Sequence, residues 1–247
     1  MVLSLLYLLC ACSTQPTSGT TSLGEGSTIG THFSPPPGFE RTVDAPGSFA
    51  AWLGGLALLA DGTPIMLHNG TPKNRQDVHA AVLDISVGTK DLQQCADAVM
   101  RLRAEHLFAQ VRFNEIHFNF TNGFKAEFSR WIKGDRIQVN GNQCRWQAGA
   151  AQRSDHANLL SFLDKVFTYA GTLSLSKELK STGTTPIEPG DGFIRGGSPG
   201  HAVIVMDGAK HADGRQAFLI AQSYMPAQQI HVLKNMRHPE LGAWFIL

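Results

Sequence analysis

Cys95, His201 and Gln222 are residue types that together can cleave an amide. A thiolate attacks the carbonyl, an imidazole takes and returns the proton, and a side-chain amide orients the ring. Cys95 lies in DLQQCADAVMRLRAE, where apolar or small residues at 92, 95, 96, 99, 102 and 107 share one helical stripe. Asp91 followed three positions later by Gln94 has the form of a capping box, so a helix is expected over 91–108. A cysteine in that first turn meets free N–H groups and the positive end of the macrodipole, both of which favour a thiolate. Gln94 or Gln93 is placed to help the backbone N–H of Cys95 hold an oxyanion.

His201 stands where the Gly/Pro loop of PGDGFIRGGSPGHAVIVMD meets an apolar β run, and QAFLIAQ follows after a polar turn containing HADG. A hairpin that sets Asp207 opposite Gln216 sets His201 opposite Gln222, on one face with Val203, Val205, Phe218 and Ile220. The Gln222 oxygen then accepts from one ring nitrogen and aims the other outward. The opposite face is apolar as well, so both strands are expected to lie centrally in a covered sheet. Arg195, in the preceding loop, is a candidate for binding a substrate carboxylate. GGSPG matches the G-x-S-x-G pattern of serine hydrolases, but Pro199 has no N–H for an oxyanion hole and a strand follows, so Ser198 is rejected.

A structural role competes for Cys95, which sits on the apolar stripe of its own helix. In an oxidising compartment it has a candidate disulfide partner in Cys144. Asp97, Arg101 and Arg103 are expected on the polar side of the helix, solvated or locally paired. The ten histidines show no HExxH spacing and no C-x-x-C partner, so no metal and no cofactor is called for.

The elements that must position these residues alternate without a repeat. Helices are expected over 49–60, 124–132 and 158–170, and strands over 64–68, 115–120 and 136–139, while 78–87 suits either type. From Asp191 onward the chain is β-rich. Helices first and strands second point to an α+β domain, with N-terminal helices packed on a central antiparallel sheet.

A net charge of +1 across 247 residues argues against nucleic-acid binding that depends on neutralising many phosphates. MVLSLLYLLCAC is an apolar run of signal-peptide length ending in Leu9-Cys10-Ala11-Cys12. It is similar to a bacterial lipobox, which makes residues 1–12 a signal peptide and Cys12 the lipidation site, with Cys10 bulkier than is usual at its place. A lipid anchor would hold the protein to a membrane without crossing it. Residues 13–38 are rich in Ser, Thr, Gly and Pro and read as a flexible tether, leaving 39–247 as the globular domain.

The strings DLQQCADAVMRLRAE, TNGF, AGTLSL, GGSPGHAVIV and AQSYMPAQQIHVLKN resemble a family of bacterial exported proteins catalogued as domain of unknown function 4846. The order helix-Cys, strand-His, next-strand amide, with Gly190-Asp191 ahead of the His-led strand, is similar to papain-like cysteine hydrolases of the NlpC/P60 type. One departure is that such enzymes place the oxyanion-hole Gln several residues before the Cys. The resemblance implies a papain-like fold and an envelope-tethered hydrolase acting on an amide such as a cell-wall peptide. The alternative is a non-catalytic envelope lipoprotein that binds peptide or glycan on the same fold.

Overall fold

The computed structural model describes residues 26–183 and 186–247. In chain order the elements are α1 (Ile29–His32), β1 (Phe39–Arg41), α2 (Phe49–Gly54), β2 (His79–Val82) and α3 (Cys95–Ala109). Then come β3 (His117–Asn119), β4 (Lys125–Glu127), α4 (Phe128–Trp131), β5 (Asp135–Asn140), β6 (Gln143–Ala148), α5 (His156–Tyr169) and α6 (Thr172–Glu178). The C-terminal third supplies β7 (Gly192–Arg195), β8 (His201–His211), β9 (Gln216–Gln222), β10 (His231–Leu233) and β11 (Trp244–Ile246). The protein is α+β. Its main sheet runs β1-β8-β9-β10-β2 in antiparallel pairs, with β7 also on β8 and β11 also on β9. The pairs β3-β4 and β5-β6 stand apart from it.

α3 is the hub. Ala96, Met100, Ala104 and Leu107 join a core with Phe128, Trp131, Phe162 and Ala202. Ala98 and Leu102 join a second core with Ile204, Met206, Leu219 and Ala221 of the sheet. A helix that packs on both sides has little surface left for solvent, and this overturns the solvated polar face expected for it. Asp97 and Arg101 are 5% and 8% exposed. Arg101 is indeed paired locally, to Glu105 at 2.6 Å, and it also donates to the Gln93 side chain at 3.2 Å.

α3 also starts four residues later than expected. The Asp91 carboxylate accepts from the backbone N–H of Ala227 at 2.6 Å, so it is held by a distant loop. The cap forms instead between the Gln94 N–H and the Asp97 carboxylate at 3.0 Å, which makes Cys95 the first helical residue. Residues 124–132 divide into β4 and the single turn α4 where one helix was expected. At 64–68 there are only isolated bridges of Met66 and Leu67 in place of a strand.

Residues 26–38 pack into the domain rather than extending a tether. Ile29 is fully buried in the sheet-side core, and the Ser34 carbonyl accepts from the Trp244 indole N–H at 2.7 Å. The folded domain therefore includes residues from Ile29 on, ahead of the boundary expected at Phe39. Cys12, the signal segment and the first half of the tether lie outside the described residues. Among the described residues no helix is long and apolar enough to cross a membrane.

Candidate functional site

β8 enters the sheet at His201 and continues past Asp207 as far as His211, so the β8-β9 turn is shorter than the apolar pattern suggests. The pairs Val205↔Ile220 and Ile204↔Ala221 place His201 two positions away from the expected register. An even slip keeps the face. His201 and Gln222 become diagonal neighbours on one side of the sheet, and His201 Nε2 lies 2.8 Å from Gln222 Oε1. A bulge between Val205 and Asp207 shifts the register by one from there on.

Gln222 has a second partner that the sequence did not point out. His231, directly opposite it on β10, has its Nε2 at 3.4 Å from Gln222 Nε2. The protons along this chain follow by elimination. The Gln229 carbonyl, 2.9 Å from His231 Nδ1, can only accept, so Nδ1 of His231 carries the hydrogen. His231 Nε2 then accepts from the Gln222 amide, and the Gln222 oxygen accepts from His201 Nε2–H. His201 Nδ1 is left as a buried lone pair with no partner. Complete burial holds the His231 pKa down at about 4, so its ring is neutral at physiological pH. Only the strand register could have revealed His231, because QIHVL alone reads as one more apolar strand.

Gln222→Leu strands both imidazole N–H and lone pair at once. The variant is expected to lose about 1–3 kcal/mol in urea unfolding, the usual cost of leaving buried polar groups unpaired. A loss below about 0.5 kcal/mol would show that the amide does not hold the two rings.

Cys95 is elsewhere. Ala202 shares one core with Ala96 of α3, and Ile204 shares the other with Ala98. Side chains alternate along a strand, so His201 and Gln222 project from the face turned away from α3. Cys95 is 8% exposed, and no hydrogen bond joins its sulfur to His201. The structure thus brings His201 and Gln222, two of the three residues expected to act together, into hydrogen-bond contact. Gln93 is 2% exposed and turned toward Arg101, and the Gln94 amide donates to the Asp91 carboxylate at 3.3 Å. Neither is turned toward an oxyanion at Cys95. Both Cys95 and Cys144 are free thiols, so the disulfide alternative does not hold; Cys144, on β6, accepts from Asn122 of the β3-β4 turn at 3.2 Å. Arg195 is exposed and directly opposite His201 in the β7-β8 register. Among the described residues no three His, Cys, Asp or Glu side chains come together as a metal cluster.

The face that carries His201 and Gln222 opens into a cleft of about 740 Å³, with Gln222 and Ile220 in its floor. The stretch 67–78 forms one wall and the stretch 224–237 another. Tyr224, 45% exposed, stands at its edge with its ring 5.4 Å from that of His201.

One protein-family model matches residues 29–247. The chain belongs to that family, Domain of unknown function (4846). The match opens at Ile29, the first residue of α1, and so covers the folded domain from its first helix to its last residue. The cleft, the His201–Gln222–His231 chain and Cys95 all fall within the family's extent. No curated protein and no solved structure matches the chain.

Proposed function

We propose that this chain is a non-catalytic binding protein that holds a small ligand in the cleft on the sheet face away from α3. The observation that carries this reading is the position of Gln222. Its amide is committed at both ends, to His201 and to His231, in the floor of a cleft of about 740 Å³. Volumes of this order suit small-molecule sites, and a rigid polar anchor in an otherwise apolar floor fixes ligand orientation. In the sequence, the lipobox ending at Cys12 supports placing this module at a bacterial envelope, tethered by lipid.

The order of Cys95, His201 and Gln222 along α3, β8 and β9 is that of a papain-like layout, which is why a thiol hydrolase competes. That chemistry needs the sulfur within reach of the imidazole. Cys95 is 8% exposed, and among the described residues no hydrogen bond joins its sulfur to that imidazole, whose Nε2 is engaged by Gln222.

Iodoacetamide labelling of the full-length chain across acid to alkaline pH, read by peptide mass, separates the two. Cys144 is partly exposed and serves as the internal reference. Cys95 is expected to label at least about tenfold more slowly than Cys144, as burial restricts access, and His201→Ala should leave its rate unchanged. Rapid labelling of Cys95 at mildly acidic pH that slows in His201→Ala would restore the hydrolase and end the binding reading.

A further inference from the structure

Resting on that binding reading, we propose that the ligand is an anionic single-chain amphiphile of the fatty-acid type, its carboxylate at a ring of cations and its chain along the apolar floor. The side chains lining the cleft include Lys73, Arg75, Lys234 and Arg237, and no Asp or Glu. The whole chain holds 21 Lys and Arg against 20 Asp and Glu, so four cations without an acid is a local concentration and not a reflection of composition. Arg75 is tied to Asp77 at 2.8 Å. Among the described residues Lys73, Lys234 and Arg237 form no salt bridge, whereas Arg101, Arg112, Arg130, Arg153 and Arg215 each have one. Partial burial and the neighbouring Arg75 push the Lys73 pKa down, and Asp77 behind the lining offsets this only in part, so a bound anion would add to what Asp77 supplies.

The floor and rim suit a hydrocarbon chain. Ile220, Leu233 and Phe245 lie in the cleft, with Met225 and Met236 at its edge 56% and 57% exposed. Methionine is unbranched and polarizable and adapts to a flexible tail, and exposed apolar residues that cluster need a partner. A glycan would call for several free polar groups; the Gln222 amide is engaged at both ends, and among the buried side-chain atoms lining the cleft the Gln228 oxygen alone lacks a partner. The cleft is a concavity of about 740 Å³ between the 67–78 and 224–237 stretches, with room for a single chain.

The test uses the full-length chain and Nile red, a neutral apolar dye whose fluorescence reports binding. Ile220→Glu, checked for folding by circular dichroism, establishes whether the dye occupies the cleft. Dodecanoate, dodecyl maltoside and dodecyltrimethylammonium then compete below their micelle concentrations. Dodecanoate is expected to displace the dye at least about tenfold more tightly than the other two, and the gap should narrow between about 0.05 and 1 M NaCl. The double variant Lys234→Glu/Arg237→Glu should abolish the preference while retaining dye binding. Equal displacement by all three would overturn the anionic ligand and leave the cleft reading standing. Dye binding unaffected by Ile220→Glu would overturn both. Association with phosphatidylglycerol vesicles but no displacement by monomeric dodecanoate would identify a membrane-docking surface, and a dimer that buries the dye site would identify a second copy; either outcome overturns the proposal.

Discussion

Acidification from pH 7 to pH 4 is expected to destabilise Asp97→Asn by about 3 kcal/mol relative to the unmodified protein. Two buried groups with opposite linkage produce this difference. Burial raises the Asp97 pKa from 3.8 to about 7, offset only in part by the Gln94 N–H. The native state therefore holds a proton that the unfolded chain has released. The penalty for Asp97 is present above pH 7 and is relieved as pH falls toward 3.8. His231 works the other way. Its native pKa of about 4 lies below the ordinary 6.5, so its contribution is intact above pH 6.5 and is lost as pH falls toward 4. That loss is about 3 kcal/mol and nearly cancels the gain from Asp97. Asp97→Asn removes the gain, because the new amide oxygen can still cap the Gln94 N–H but cannot take up a proton. Urea unfolding at several pH values reads the effect, and His231→Gln should show the reverse slope. Parallel profiles for Asp97→Asn and the unmodified chain would mean that Asp97 is not held protonated by the core.

Phe162→Ala is expected to cost about 3–5 kcal/mol, enough to lower the melting temperature by roughly 10 °C in a chain of this length. Phe162 is fully buried on α5, with its ring 5.3 Å from Phe128 and 5.7 Å from Trp131. The Trp131 indole is itself fixed by Asn158, one turn earlier on α5, at 2.9 Å. Removing the ring opens a cavity that these neighbours cannot close without breaking that bond. Phe162→Leu fills most of the space and should cost distinctly less. A loss under about 1.5 kcal/mol for the alanine variant would show that the helical core is loosely packed.

The elements with a strong pattern were legible in the sequence. α5, with Asp155 capping Asn158, lies within two residues of its expected start, and the apolar runs after Asp191 are the strands of the main sheet. The misses come from contacts that no local pattern records. Asp91 has the form of a cap but serves a loop 136 residues away, at Ala227. Residues 208–210 look like the approach to a turn yet extend β8, where Lys210 pairs with Gln216. That moved the register by two, and parity preserved the link between His201 and Gln222. The same parity sends the pair away from α3, and nothing in the order of Cys, His and Gln encodes which face a strand presents. The cations of the cleft lie at 73, 75, 234 and 237, too far apart along the chain to read as one patch.

α3 belongs to both cores at once, with Val99 touching each. Neither half of the molecule can lose its packing without exposing one side of the same helix. The two cores should therefore melt as one cooperative unit, with the amides at the centre of α3 among the last to exchange with solvent. The cleft floor lies on the far face of strands that belong to that unit, through Leu219, Ala221 and Val232, so the floor should be held as firmly as the hub.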